Sequence, residues 1–150
     1  MNPTARTRVL HVISTLKPGG TEMALLRLVR HLDPRRFEHR VACLRGAPVL
    51  APEFETAGVP VVTIGVRRPA DPAALRRLVR LVRRERIDLV HTQMDIADYY
   101  GVCAARLGGA RAVVTTKQNA DDFRRRRTWR SEEHTAELQS LAYLACRLLL

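Results

Sequence analysis

Six consecutive residues, Lys17-Pro18-Gly19-Gly20-Thr21-Glu22, bring a cation, two glycines, a hydroxyl and a carboxylate into one short stretch. Glycine lets a backbone amide approach a ligand with no Cβ in the way, and the free amides of a helix N-terminus favour an anion. The stretch is neither the dinucleotide fingerprint of three spaced glycines nor a phosphate loop closing on lysine and a hydroxyl residue. It therefore suits a phosphate or a sugar without specifying a cofactor. Two other groups of polar residues could do chemistry: His91, Gln93 and Asp95 with Asp98, and Gln118 and Asn119 with Asp121 and Asp122. Histidine can exchange a proton near neutral pH, whereas glutamine and asparagine can only hydrogen-bond a hydroxyl. Each group also has a purely structural reading. His11 and His91 alternate with apolar strand residues and suit satisfied core histidines, Asp95 and Asp98 suit the first turn of a helix, and Asn119, Asp121 and Asp122 suit a turn.

These groups need elements to position them. Val9-Leu10-His11-Val12-Ile13 is a short β-branched run that stops at the turn-prone Leu16 to Gly20 and reads as a buried strand. From Thr21 the period changes, with Leu25, Leu28, Val29 and Leu32 on one helical face, ended by Asp33-Pro34. The alternation repeats: a strand near His39 to Leu44, a short helix from Pro52 to Ala57, and a strand from Val59 to Ile64. Asp71-Pro72 supplies an N-cap and a first-turn proline for a long helix striped by Leu75, Leu78, Val79 and Val82. A strand from Ile87 to Thr92, a helix from Asp95 to Leu107 stopped by Gly108-Gly109, and a strand from Ala112 to Thr116 follow. Such alternation predicts an α/β, Rossmann-like three-layer domain with a parallel sheet, whose ligands bind beyond the carboxyl ends of the strands where strand order reverses. The residues so placed are Ser14 to Glu22, Thr92 to Asp98 and Lys117 to Asp122.

With 150 residues the chain is long enough for one such domain and too short for two, and its 46% hydrophobic and 27% charged residues fit a folded core. Cys43, Cys103 and Cys146 are widely spaced, an odd number with no zinc-type pairing, and read as buried thiols of a reducing compartment. No apolar run is long enough to cross a bilayer and no signal-peptide core follows Met1, so the protein is expected in the cytoplasm. The net charge of +11 favours anionic partners, although the near-exclusive use of arginine resembles the codon bias of a GC-rich genome. Five arginines, Arg76, Arg77, Arg80, Arg83 and Arg84, line one face of the helix within 71–86. They suggest peripheral contact with anionic lipid at the inner face of the membrane, beside the plainer reading of a solvated face. Arg124 to Arg127 lack the aromatic interleaving or recognition helix of a nucleic-acid binder, and no nucleic-acid partner is expected.

Over residues 6–129 the chain resembles the N-terminal, acceptor-side domain of glycosyltransferase family 4. The phrases that carry the likeness are Arg8 to Leu16, Pro18-Gly19-Gly20-Thr21-Glu22, Asp33-Pro34-Arg35-Arg36-Phe37-Glu38, Gly58-Val59-Pro60-Val61, Ile87 to Thr92, and Ala104 to Gly109. The resemblance implies half of a GT-B fold, a retaining enzyme of two facing Rossmann-like domains that moves a sugar from a nucleotide-sugar donor to a hydroxyl acceptor, lipid or polysaccharide. It implies no cofactor and no metal. Lys17, Gly19, Gly20, Thr21 and Glu22 match the loop facing donor phosphate and acceptor, while His91, Gln93, Asp95, Gln118 and Asn119 fall on the acceptor side. Relatives often carry histidine where this chain has Gln93 and Gln118, and the histidine matching Gln118 lies close to the transferred sugar, so the catalytic residue is left open. The paired glutamates that hold the nucleotide belong to the C-terminal domain, the missing partner, and without it the fragment is expected to be inactive.

The run Arg130 to Ser140 resembles the translation of a short-read sequencing adapter, departing at Ala136 where the adapter encodes serine. Residues 130–150 are accordingly set apart as a non-native tail and 1–129 as the domain. The rival class is a non-catalytic sugar- or phosphate-binding Rossmann domain. A nucleotide-sugar epimerase built on a single Rossmann domain would want a spaced-glycine fingerprint and an acidic residue after the second strand, where Cys43-Leu44-Arg45 stands instead.

Overall fold

The computed structural model describes residues 6–68, 70–93 and 95–116. Nine elements alternate in order: β1 (Thr7–Ile13), α1 (Gly20–His31), β2 (Phe37–Cys43), α2 (Ala51–Thr56), β3 (Val61–Thr63), α3 (Pro72–Arg84), β4 (Leu89–Gln93), α4 (Asp95–Gly108) and β5 (Ala112–Thr116). The strands form one sheet in the order β3-β2-β1-β4-β5, every neighbouring pair parallel. This is the expected Rossmann-like layering.

Burial follows position in the sheet. β1 and β4 lie between two neighbours and are buried along most of their length, while β5 at the edge is largely exposed, Val114 by 47%. Alternate residues of the central strands serve two cores. Leu10, Val12, Ala42 and Val90 pack with Leu75, Leu78 and Val82 of α3 and Tyr100 and Ala104 of α4. Ile13, Val41 and Cys43 pack with Leu25, Leu26 and Val29 of α1 and Phe54 of α2.

Element ends have local causes. Asp71 caps α3, its Oδ1 accepting from the Ala74 amide at 3.0 Å and its Oδ2 from the Arg67 amide at 3.2 Å, ahead of the proline at the first helical position. These two backbone donors hold the Asp71 carboxyl below the usual aspartate range. Asp71→Ala should lower stability by about 1–2 kcal/mol, read from urea unfolding, because it removes the cap and unties the preceding loop. α4 runs through Gly108 and stops at Gly109, whose φ of 85° suits glycine. β3 is shorter than its apolar run predicts. Gly58 enters it at φ 75°, and past Thr63 the chain continues to pair with β2 without regular strand geometry, Ile64 donating to Cys43 and Val66 to Leu44.

Two glycines set how closely the layers pack. A Cβ at Gly101 would run into Cγ2 of Thr92, so α4 lies directly on β4, and one at Gly108 would strike Val82, so α4 and α3 touch there. Among the described residues no helix is long and apolar enough to cross a membrane.

Candidate functional site

The strand order reverses at β1, from which the chain crosses to β2 on one side and returns through β4 on the other. Beyond the carboxyl ends of β1 and β4 lies the crevice where a sheet of this kind receives ligands. The loop between β1 and α1 reaches it, and so does the β4–α4 junction, where Met94 alone separates strand from helix.

In the loop, Lys17 and Pro18 are exposed and Gly19 is the N-cap of α1, giving no side-chain cap of its own. The helix end is nevertheless not left bare for an anion. Glu22 occupies the third helical position and folds back over Gly19, its Oε2 2.5 Å from where a Cβ on Gly19 would stand, and Thr15 Oγ1 donates to its Oε1 at 3.2 Å. A carboxylate at that position satisfies the positive end of the helix dipole as a capping box does. The Glu22 carboxylate thus stands at the helix end expected to face a phosphate. Gly20 differs from Gly19 in that a Cβ there would meet nothing within 4 Å.

His91 and Gln93 do not stand open in the crevice. Both are buried on the sheet face opposite α4, Gln93 to 2% exposure, and His91 belongs to a line of polar side chains across four strands. His11 Nδ1 lies 2.8 Å from His91 Nδ1, His11 Nε2 lies 3.0 Å from His39 Nδ1, and His91 Nε2 lies 2.7 Å from Thr116 Oγ1. A neutral imidazole has one donor and one acceptor nitrogen, so the protons along this line must all point the same way. If they point toward Thr116, His39 Nε2, which is buried without a partner, is left as a bare lone pair; the reverse order would strand an N–H there. The first order is the less costly.

Burial drives the pKa of all three histidines down. For His11 the neighbouring His91 and His39 add to the burial effect, and for His91 the Asp98 carboxylate partly opposes it. The three are therefore neutral at physiological pH, which agrees with the core-histidine reading of His11 and His91. His39 was not anticipated, because only the register that sets it beside Val9 brings it next to His11.

Asp98 accepts from Thr92 Oγ1 at 2.5 Å, and Thr92 also bonds Thr115 Oγ1 at 3.0 Å, so Asp98 ties α4 to β4 and, through Thr92, to β5. Asp95 is the first residue of α4. Gln118, Asn119, Asp121 and Asp122, and with them Cys146 and the tail 130–150, lie outside the described residues. Cys43 and Cys103 are buried, and burial raises the Cys43 thiol. Among the described residues no group of three or more histidine, cysteine or acidic side chains could hold a metal ion.

Arg45 was not singled out as a site residue in the sequence; Gln93 was, but its missing partner could not be read there. Gln93 Oε1 is buried without a hydrogen-bond partner, and so are Nε and Nη2 of Arg45, the second residue after β2. No local pattern marks either, since their isolation is a product of packing.

Comparison with known proteins agrees with this geometry. The chain is similar to a glycosyltransferase from Rickettsia africae ESF-5, with a TM-score of 0.54 at 17% identity over 73% of this chain and 29% of that one. It is also similar to an assigned UDP-N-acetylglucosamine 2-epimerase from Listeria monocytogenes, with a TM-score of 0.59 at 17% identity over 94% of this chain and 38% of that one. The chain thus spans well under half the length of either solved protein, and at such identity the likeness is one of fold. No curated protein matches. The sequence model of Glycosyltransferase Family 4 matches residues 18–148, from the glycine loop onward, and with the fold this places the chain in glycosyltransferase family 4.

Proposed function

We propose that this chain is the acceptor-side half of a retaining, two-domain GT-B glycosyltransferase that moves a sugar from a nucleotide-sugar donor to a hydroxyl acceptor. The observation that carries the reading is the Gly19-Gly20 loop at the switch point of an all-parallel sheet in a family 4 chain. In this role the exposed Gly20 backbone lies against the donor's diphosphate, Lys17 supplies positive charge, and the Glu22 carboxylate accepts from an acceptor hydroxyl. The orphaned Gln93 Oε1 is a second acceptor for a sugar hydroxyl once the crevice opens. Gln118 and Asn119 complete the acceptor side, and neither cofactor nor metal takes part.

Transfer then needs a facing domain to hold the nucleotide. With one wall of the crevice absent, most of the positioning and charge stabilisation is absent too, so the 150-residue chain alone binds without transferring. On this reading a facing domain belongs to the longer protein, beyond the family 4 region that the sequence model follows to residue 148. The buried, unbridged thiol of Cys43 supports a cytoplasmic setting. Membrane contact through α3 rests on Arg76 and Arg80. Arg77 instead donates to the carbonyls of Ile64 and Gly65, Arg83 to that of Leu107, and Arg84 pairs with Glu85.

The test is a sugar-transfer assay on the protein encoded by the genomic DNA, read past the codon for Trp129, beside the 150-residue chain. The longer protein should transfer and the short one should not. Gly20→Ala in the longer protein should leave its melting temperature unchanged or slightly raised, since the Cβ meets nothing. It should also lower kcat/KM for the donor by about tenfold, because the methyl occupies the diphosphate's approach. Transfer by the short chain, or a Gly20→Ala enzyme as active as the wild type, would refute the reading.

A further inference from the structure

Arg45 is the most anomalous polar residue in the described structure. It is only partly exposed, its Nε and Nη2 are buried, and neither nitrogen has a hydrogen-bond partner. Among the described residues no carboxylate pairs with its side chain; the ion pairs there join other arginines to Asp33, Glu38, Glu85 and Asp88. A guanidinium offers only donors, and among the described residues two of the donor nitrogens of Arg45 are buried without an acceptor and its charge has no paired carboxylate.

Its position places that charge at the ligand edge of the sheet. The Arg45 amide donates to Ser14 O at 2.9 Å, so β2 extends alongside the loop that leads to Gly19, and on its other side Val66 donates to Leu44 O at 2.8 Å, bringing Arg67 and Arg68 to the same edge. Arg45 and Arg68 both act electrostatically on the Tyr100 hydroxyl, which accepts from the Asp71 amide and donates to Arg68 O. Asp71 is the one carboxylate in this group, and its oxygens are already taken by the amides of Ala74 and Arg67. Arg45 thus shares this edge with Arg67 and Arg68, both exposed, and with one carboxylate whose oxygens accept from two backbone amides.

We propose that Arg45, with Arg67 and Arg68, forms an anion subsite at the carboxyl edge of β2 and β3 that takes a phosphate ester carried by the acceptor. A doubly charged phosphate matches the excess of positive charge, and its oxygens match the planar fork of an arginine. The proposal rests on reading this edge as the acceptor side, and it names the acceptor class: a hydroxyl compound already phosphorylated. Arg45 is a binding residue here, with no part in bond making.

The 150-residue chain suffices for the test. Inorganic phosphate is titrated in at an ionic strength held constant with chloride, while the arginine side-chain N–H signals are followed by NMR and affinity by calorimetry. The Arg45 Nε–H signal should move on saturation, and Arg45→Met should weaken phosphate binding at least tenfold, roughly the value of one charge-assisted contact. Arg76→Met, which removes the same charge from the outer face of α3, should change affinity by less than about twofold. Arg45→Lys, keeping the charge but not the fork, serves if the methionine variant does not fold, and it too should bind more weakly. Glycerol 3-phosphate, compared with phosphatidylcholine vesicles that contain or lack phosphatidic acid, distinguishes a soluble ester from a lipid one, and Arg45-dependent binding to either supports the subsite. An Arg45 signal that stays put, or a variant that binds phosphate like the wild type, overturns it. Neither readout involves sugar transfer, so a longer protein that transfers sugar without this phosphate response would sink the subsite alone and leave the family reading standing.

Discussion

Between pH 6.5 and pH 5 the protein should lose stability steeply as the medium becomes more acidic. The cause is the line of His39, His11 and His91, all three buried and held below the ordinary histidine range mainly by that burial. Unfolding returns each ring to water, where its pKa is about 6.5. Below that value the unfolded chain takes up protons that the folded chain refuses, so stability is complete above pH 6.5 and falls with pH until the folded rings themselves titrate. Each refused proton costs up to about 1.4 kcal/mol per pH unit, and three acting together cost up to about 4. For a domain whose whole stability is of the order of 5–15 kcal/mol, that is enough to unfold it in mildly acidic buffer. Asp98 tempers the effect at His91, and the contribution of the depressed Asp71 is lost only at much lower pH, near the ordinary carboxylate range. Urea midpoints at pH 7, 6, 5.5 and 5 would show the trend. His11→Phe should flatten the slope by about one proton, and a wild-type midpoint that does not move across this range would show that the rings accept protons in place.

Gly101→Val should be the most damaging single substitution in α4, costing 3 kcal/mol or more as an order-of-magnitude figure, and Gly101→Ala roughly 1–3 kcal/mol. Alanine gains up to about 1 kcal/mol in helix propensity over glycine, yet its Cβ has nowhere to go. The obstacle is Cγ2 of Thr92, and Thr92 cannot turn aside because its hydroxyl is bonded to both Asp98 and Thr115. α4 must therefore back away from β4, moving its first turn, which begins two residues after Gln93, away from the crevice. Thr92→Ser keeps the hydroxyl and deletes the methyl, so the Gly101→Ala/Thr92→Ser pair should recover most of the loss. Strictly additive costs in that double-mutant cycle would show that the two residues do not meet.

Much of the architecture was legible in the sequence because its signals are local. The shift from a period of two to one of 3.6 after Ile13 placed β1 and α1, Asp71-Pro72 marked the start of α3, and Ala112 to Thr116 proved to be β5 with the bounds expected. Gly19 and Gly20 were likewise legible as a loop at the sheet's mouth, since a strand followed at once by turn residues and a helix leaves few other courses for the chain. What tertiary structure alone decided was which side chains meet. Register between strands joined His39 to His11 and His11 to His91, although the three are far apart in the chain. The fold of the first helical turn swung Glu22 over Gly19, and long arginines read as one basic face were divided, Arg77 and Arg83 being drawn to backbone carbonyls of neighbouring elements. Burial left Arg45 Nε and Nη2 and Gln93 Oε1 without partners. Periodicity and capping depend on neighbours within a few residues, whereas register and desolvation depend on segments that meet only once the sheet has closed.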